Sequence, residues 1–191
     1  MTSRVLLVSP AMTASLRQAR FDDGAPLDDR GRADARAAAG SLPADAPVVT
    51  SASARCQETA RALGLAPSGS PAELAGMEMG HWRGRSLDEV TASEPAAVAR
   101  WLTEPEFAPT GGESVVGFCA RVARWLDAAA AGGGRVVAVV EPEVVRAAVV
   151  HATGAPPAAF WRLDVEPLTV TELSGRAGRW NVRLGRPVKS L

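Results

Sequence analysis

The chain contains no tyrosine, two cysteines, two histidines and, as Lys189, a single lysine among its 191 residues. Cys56 and Cys119 lie far apart, with neither a Cys-x-x-Cys pair nor a neighbouring histidine, which argues against a disulfide framework and a zinc site. With only His81 and His151 besides, no metal and no cofactor is expected. Charge of one sign is lacking as well: 21 Lys+Arg balance 21 Asp+Glu, so there is no bulk electrostatic case for nucleic acid or a membrane surface as partner. No stretch approaches the ~20 apolar residues of a membrane span. The apolar run of the opening MTSRVLLVSP stops at Ser9-Pro10, too early for a signal segment. These absences predict a cytoplasmic protein whose partner is a small molecule or another protein.

What is present is enough for a sizeable core. Hydrophobic residues make up 47% of the chain and charged residues 22%, and domains commonly run to about 100–200 residues, so residues 1–191 are read as one domain without internal repeats. Three short β-branched runs, at 5–8, 48–51 and 136–140, are nearly continuous in apolar character. That pattern predicts parallel strands covered on both faces. Between and after them, 28–40, 53–63, 114–131 and 143–152 carry Ala, Arg and Leu at helical spacing, with Asp28, Ser53 and Ser114 as N-caps. Alternation of this kind predicts an α/β fold, a three-layer α/β/α sandwich with a mostly parallel central sheet. Later runs at 168–173 and 180–184 add edge strands. The stretch 65–113 interrupts the alternation with Pro, Gly and Ser and is read as a small cap insertion over the carboxyl ends of the strands, where ligands of such folds bind.

The order of local motifs resembles that of the histidine phosphatases, the phosphoglycerate mutase-like family, over nearly the whole chain. Residues Leu6 to Thr13 are similar to the family's L-V-R-H-G-E-T opening, and Pro26-Leu27-Asp28-Asp29-Arg30-Gly31-Arg32 to its P-L-T-E-R-G-R helix start. Thr50-Ser51-Ala52-Ser53-Ala54-Arg55 with Glu58-Thr59-Ala60 resembles S-S-P-L-x-R…Q-T-A. Gly80-His81-Trp82-Arg83-Gly84 resembles G-E-W-E-G, Gly111-Gly112-Glu113-Ser114 repeats G-G-E-S, and Val139 to Arg146 stands where the family has V-S-H-G-G-V-I-R. In that family the opening histidine attacks phosphorus, while two arginines and a second histidine grip the phosphate. The resemblance puts Pro10 at the nucleophile, Ser9 at the first arginine, Glu141 at the second histidine and Arg55 at the surviving arginine. The family's acid falls on Gly76, with Glu78 two residues on as a replacement if the register slips.

Proline offers neither a nucleophilic lone pair nor a side-chain donor. Charges about 4 Å apart interact by roughly 4 kcal/mol at an effective dielectric near 20, so exchanging Arg for Ser9 and His for Glu141 weakens the hold on a phosphate dianion. The expectation is therefore a chain that has lost phosphoryl transfer and uses the cleft for a different small-molecule ligand. In an acid/base enzyme Glu141 and Arg55 would be the catalytic residues; the alternative is a non-catalytic pseudophosphatase acting as a ligand-binding or protein-interaction module. Candidate ligand-binding residues are Ser9, Pro10, Thr13, Arg17, Arg55, Glu78 and Glu141, and Arg55 and Glu141 are expected to meet at the cleft. The bland readings are a solvated loop for Arg17 and Arg20, surface positions for His81 and His151, and turns for Gly111-Gly112 and 132–134. The tryptophans 82, 101, 125, 161 and 180 are read as core or cap packing, or, for Trp82 or Trp101, as the wall of an apolar ligand pocket.

Overall fold

The computed structural model describes residues 2–43, 45–176 and 178–188. Numbered in chain order, five strands, β1 (Ser3–Val8), β2 (Val48–Thr50), β3 (Arg135–Val139), β4 (Thr169–Arg176) and β5 (Arg179–Pro187), form one sheet of order β2-β3-β1-β4-β5. β1 and β2 both pair in parallel with β3, whereas β4 runs antiparallel to β1, and β5 antiparallel to β4. The sheet is thus mixed, with its parallel part where the β-branched runs predicted it. β4 is not an edge strand. It lies inside the sheet, with Val170 and Leu173 buried, because β5 covers its outer side. β5 itself is largely exposed and carries Arg179, Arg183 and Arg186, charges that discourage further pairing along an open edge.

Among the described residues there are seven α-helices: α1 (Ala14–Arg17), α2 (Asp29–Ala37), α3 (Ala54–Ala62), α4 (Leu87–Ser93), α5 (Pro95–Thr103), α6 (Val115–Gly132) and α7 (Pro142–Thr153). Successive side chains of a strand point to opposite faces, and two core clusters follow that alternation. Val5, Leu7, Ala138 and Leu173 pack with Phe118 and Val122 of α6 and Val145 and Val149 of α7. Leu6, Val8, Val137, Val139 and Val170 pack instead with Ala38 beyond α2 and Cys56 and Ala60 of α3. These are the two outer layers of the sandwich. The expected caps are in place, since the side chains of Asp28, Ser53 and Ser114 accept from the amides of Gly31, Cys56 and Gly117.

The stretch 65–113 holds more regular structure than its Pro and Gly content suggested. α4 begins with a reciprocal capping box between Ser86 and Glu89. α5 starts on Pro95, a residue tolerated in a first turn because its missing N–H has no intrahelical partner there. Trp82, Val90, Val98 and Trp101 form a small core of their own between these helices.

Gly31 lets α2 pass close under the loop that follows β1, because a Cβ there would lie 2.3 Å from the Met12 carbonyl oxygen. Gly31→Ala should therefore cost about 1–3 kcal/mol through forced repacking. Gly132→Ala, in the last turn of α6 with open space around it, should gain up to about 1 kcal/mol by restricting the unfolded chain. Denaturant unfolding of the two variants checks the contrast, and equal effects would remove the close approach as its cause.

Candidate functional site

The carboxyl ends of β1, β2 and β3 lie side by side and feed the loops at 9–13, 51–53 and 140–141. Arg55 stands in the first turn of α3, immediately after β2, and Glu141 is the N-cap residue of α7, after β3. Glu141 does not cap its own helix through its side chain. Its carboxylate meets the Arg55 guanidinium instead, in an ion pair whose side chains are only 3% and 2% exposed. Burial alone would lower the Arg55 pKa; the charge and hydrogen bond of Glu141, with the charges of Glu143 and Asp22 added, together outweigh that and raise it. The pair is under-satisfied beyond this contact, because Nε and Nη1 of Arg55 and Oε1 of Glu141 are buried with no hydrogen-bond partner among the described residues.

A cavity of about 310 Å³ opens beside the pair, and its walls include Asp22, Gly76, Glu78, Arg83, Glu141 and Glu143. Gly76 matters by its small size. A Cβ there would come within 3.2 Å of Glu141 Cγ and 3.3 Å of Glu143 Oε1, so the place where the family motif carries an acid is closely approached by two carboxyl side chains from α7. Removal from water, and next the Glu141 charge, push the Glu143 carboxyl above its ordinary range, while Arg55 works against the rise. The Met77 amide donates to Glu143 Oε1 at 3.4 Å. Cys56 is no candidate nucleophile: burial, and next Glu141, hold its thiol well above the usual value.

The loop at 73–76 is pinned from outside the cleft. Arg121 of α6 donates to the carbonyls of Glu73, Ala75 and Gly76 at 2.8–2.9 Å, and pairs with both oxygens of Glu113 at 2.9 Å. Glu113 in turn donates its amide to the Glu78 carbonyl at 2.8 Å. The Gly-Gly-Glu-Ser segment and α6 thereby hold the wall that carries Gly76 and Glu78.

The remaining sequence candidates are distributed differently. Ser9 is buried and turned toward β4, donating to the Glu166 carbonyl at 2.5 Å and accepting from the Thr169 amide at 3.0 Å. The antiparallel β1–β4 pairing puts those backbone groups beside it. Pro10 is buried beside it in sequence. Thr13 is the N-cap of α1, accepting from the Leu16 amide, and Arg17 pairs with Asp28 at 2.8 Å. Of the seven candidates, the structure brings Arg55, Glu78 and Glu141 to the cleft region, while the polar groups of Ser9, Thr13 and Arg17 are engaged elsewhere. Neither histidine lines the cavity: His81 bonds Glu94 at 2.9 Å and His151 bonds Asp127 at 3.0 Å. Asp22, Arg83, Glu143 and Arg121 were not singled out from sequence. Glu143 had a legible signal, since Glu141-Pro142-Glu143 sets two carboxylates at one helix start.

No three His, Cys, Asp or Glu side chains among the described residues are grouped so as to hold a metal ion, and no helix there is long and apolar enough to cross a membrane.

The model of the histidine phosphatase superfamily, branch 1, matches residues 12–186. A glucosyl-3-phosphoglycerate phosphatase of Mycolicibacterium vanbaalenii is 37% identical over 128 residues, which are 60% of this chain and 56% of that protein; the match thus spans just over half of the relative's length. The structure of a mycobacterial glucosyl-3-phosphoglycerate phosphatase with VO3 superposes with a TM-score of 0.84 at 25% identity, covering 97% of this chain and 99% of the other. The alpha-ribazole phosphatase of Shigella flexneri shares the fold, with a TM-score of 0.83 at 20% identity and 97% coverage of both chains.

These similarities overturn the expectation that phosphoryl transfer has been lost, because the proteins the chain resembles are named as phosphatases. The electrostatic argument behind that expectation weighed the exchanges at Ser9 and Glu141 against a phosphate dianion and left out the rest of the wall. In the structure Arg55 pairs with Glu141, Arg83 adds a positive charge to the cavity wall, and the Glu143 carboxyl is raised above its ordinary range.

Removing either member of the Arg55–Glu141 pair leaves the other charge buried alone, at a cost of about 3–5 kcal/mol. Arg55→Ala and Glu141→Ala should each destabilise on that scale. The double variant should lose clearly less than the two losses added together, and strict additivity in urea unfolding would show that the charges do not depend on each other.

Proposed function

Because the chain belongs to the histidine phosphatase superfamily, branch 1, we propose that it is a phosphatase-type hydrolase. It cleaves a phosphomonoester of a small organic molecule in the cleft beside Arg55 and Glu141, by direct attack of water rather than through a phosphohistidine. The motif comparison supports the second half of this reading, since Pro10 and Glu141 stand at the two histidine positions and no histidine lines the cavity. The names of the relatives support the first half.

The observation that carries the mechanism is Glu143, a carboxyl group at the cavity wall whose surroundings keep it protonated to higher pH than usual. Water attacks phosphorus, the phosphorus–oxygen bond to the organic group breaks, and Glu143 delivers its proton to the departing oxygen. The proton of the attacking water passes to a neighbouring carboxylate, Asp22 or Glu78. Arg83 orients the phosphoryl oxygens from the cavity wall, and Arg55, paired with Glu141, adds positive charge behind it. An acidic wall favours the singly charged phosphomonoester over the dianion, and phosphomonoesters lose their second proton at a pKa of about 6. Both substrate and general acid are therefore in the working form on the acid side. On the same reading the partner is a small molecule, and the free, buried Cys56 and Cys119 suit the cytoplasm.

Hydrolysis of glycerol phosphate and p-nitrophenyl phosphate should be greatest in acidic buffer and should decline as pH rises through the second phosphate ionisation at about 6 and through the raised Glu143 pKa. Glu143→Gln should reduce kcat by about 10²–10⁴-fold, and acid-quenched enzyme should carry no phosphohistidine. Folding gives an independent check. Since the folded-state pKa of Glu143 lies above the unfolded one, its contribution to stability is full below the unfolded value and is lost as pH rises through the folded value. Glu143→Gln should flatten that decline in a pH series of thermal melts. Phosphatase activity that rises with pH, or that survives Glu143→Gln, would overturn the mechanism, and no hydrolysis at any pH would overturn the function.

A further inference from the structure

A second chamber of about 180 Å³ adjoins the cleft and shares Asp22, Met77, Met79 and Glu143 with it. Its character is different. Phe21, Trp101 and Trp161 line it together with the two methionines, and its cations are Arg20, Arg55 and Arg146, of which the first two are paired with Glu89 and Glu141. The aromatic side chains form a connected set: Trp101 and Trp161 lie 4.2 Å apart between ring centroids, and Phe21 meets Trp101 edge-on at 5.7 Å. Such a chamber is large enough for a six-membered aromatic ring, for which about 150 Å³ suffices.

Two polar groups give the chamber direction. Trp101 is 7% exposed, and its indole N–H is buried without a hydrogen-bond partner among the described residues. The indole of Trp161, by contrast, donates to the Trp101 carbonyl at 3.1 Å. A buried donor left unpaired is costly unless a ligand completes it. Arg146 is held by one bond, from Nε to the Leu163 carbonyl at 2.7 Å, and its guanidinium lies 5.7 Å from the centre of the Trp161 ring. Arg146 follows Glu143 by three residues on α7, so the two project from one face of that helix, with Glu143 on the wall shared by both chambers.

We infer that the organic part of the substrate is a flat aromatic or heteroaromatic group bearing a hydrogen-bond acceptor. It seats in the Trp101–Trp161 chamber, with its acceptor toward the Trp101 N–H and Arg146, while the phosphoryl group occupies the neighbouring cleft. This inference rests on the cleft being a phosphomonoester site and adds the class of leaving group. Glu143, on the common wall, then stands where the bond between the two halves must lie, as a proton donor to the departing oxygen has to.

Non-hydrolysable phosphonates test the chamber without requiring turnover. In calorimetric titrations of the native protein, benzylphosphonate should bind about three- to tenfold more tightly than cyclohexylmethylphosphonate, which has similar bulk but no aromatic face. 4-Carboxybenzylphosphonate should bind more tightly still. Arg146→Met should erase the gain from the carboxyl group and leave the preference for the flat ring, and thermal melts establish that the variant is folded. Trp101→Phe, which keeps an aromatic face but removes the N–H, should erase the advantage of a pyridylmethyl over a benzyl group. Hydrolysis of glycerol phosphate with equal affinity for all the phosphonates would overturn the chamber and leave the cleft reading standing. Ring-selective binding without hydrolysis of any phosphomonoester would overturn the cleft reading, while the chamber would stand as an aromatic-ligand site.

Discussion

The buried contact between Arg55 and Glu141 is the constraint on which the rest of the site depends. Two full charges taken out of water are tolerated only together, and here they come from the first turns of different helices, each following a different parallel strand. The ends of β2 and β3 are thereby held in one relative position, although the strands share only three paired residues each. The same contact sets the ionisation of its surroundings. Glu141 helps to raise the Glu143 carboxyl and the Cys56 thiol above their ordinary values, while its own charge is balanced by Arg55.

Around that pair the protein uses absence of side chain as deliberately as presence. Gly76 leaves the volume that the α7 carboxyl groups approach, and Arg121, reaching from α6 with all of its recorded bonds to backbone carbonyls or Glu113, keeps the loop from collapsing away. A guanidinium fork suits this task because its several N–H groups diverge in a plane and engage separate acceptors at once. Glu143 projects from the first turn of α7, and a helix is a more rigid support than a loop for a group that must meet a bond at a defined place.

Much of the fold was legible in the sequence. The three β-branched runs became the three parallel strands, and Asp28, Ser53 and Ser114 began the helices they were expected to begin, because strand burial and N-capping are local properties. α4 and α5 lie within a stretch whose Pro, Gly and Ser content hides them, because the Ser86 and Glu89 capping box is short and because proline, unfit for a helix interior, is at home in a first turn. The interior place of β4 was missed because it depends on β5 folding over it. That one long-range fact also decided Ser9, whose hydroxyl serves the β4 backbone. At the site, Arg55 and Glu141 could be named from motif order, Trp101 was open as a pocket wall, and Glu141-Pro142-Glu143 carried a signal for Glu143. The reach of Arg121 and the assembly of Phe21, Trp101 and Trp161 around one chamber were not legible, since they depend on which faces of α6 and α7 turn inward.

The strand order has a bearing on how the molecule is made. β1 sits in the middle of the sheet between β3 and β4, and well over a hundred residues of sequence separate it from either neighbour. The first strand must therefore wait, unpaired and strongly apolar, while α1 to α6 emerge. Pairing it late closes loops of more than a hundred residues, the kind of long-range contact that slows folding. The ion pair cannot form before residue 141 has followed Arg55, so the cleft is completed late, and partly made chains with an unpaired apolar strand are the species prone to aggregate.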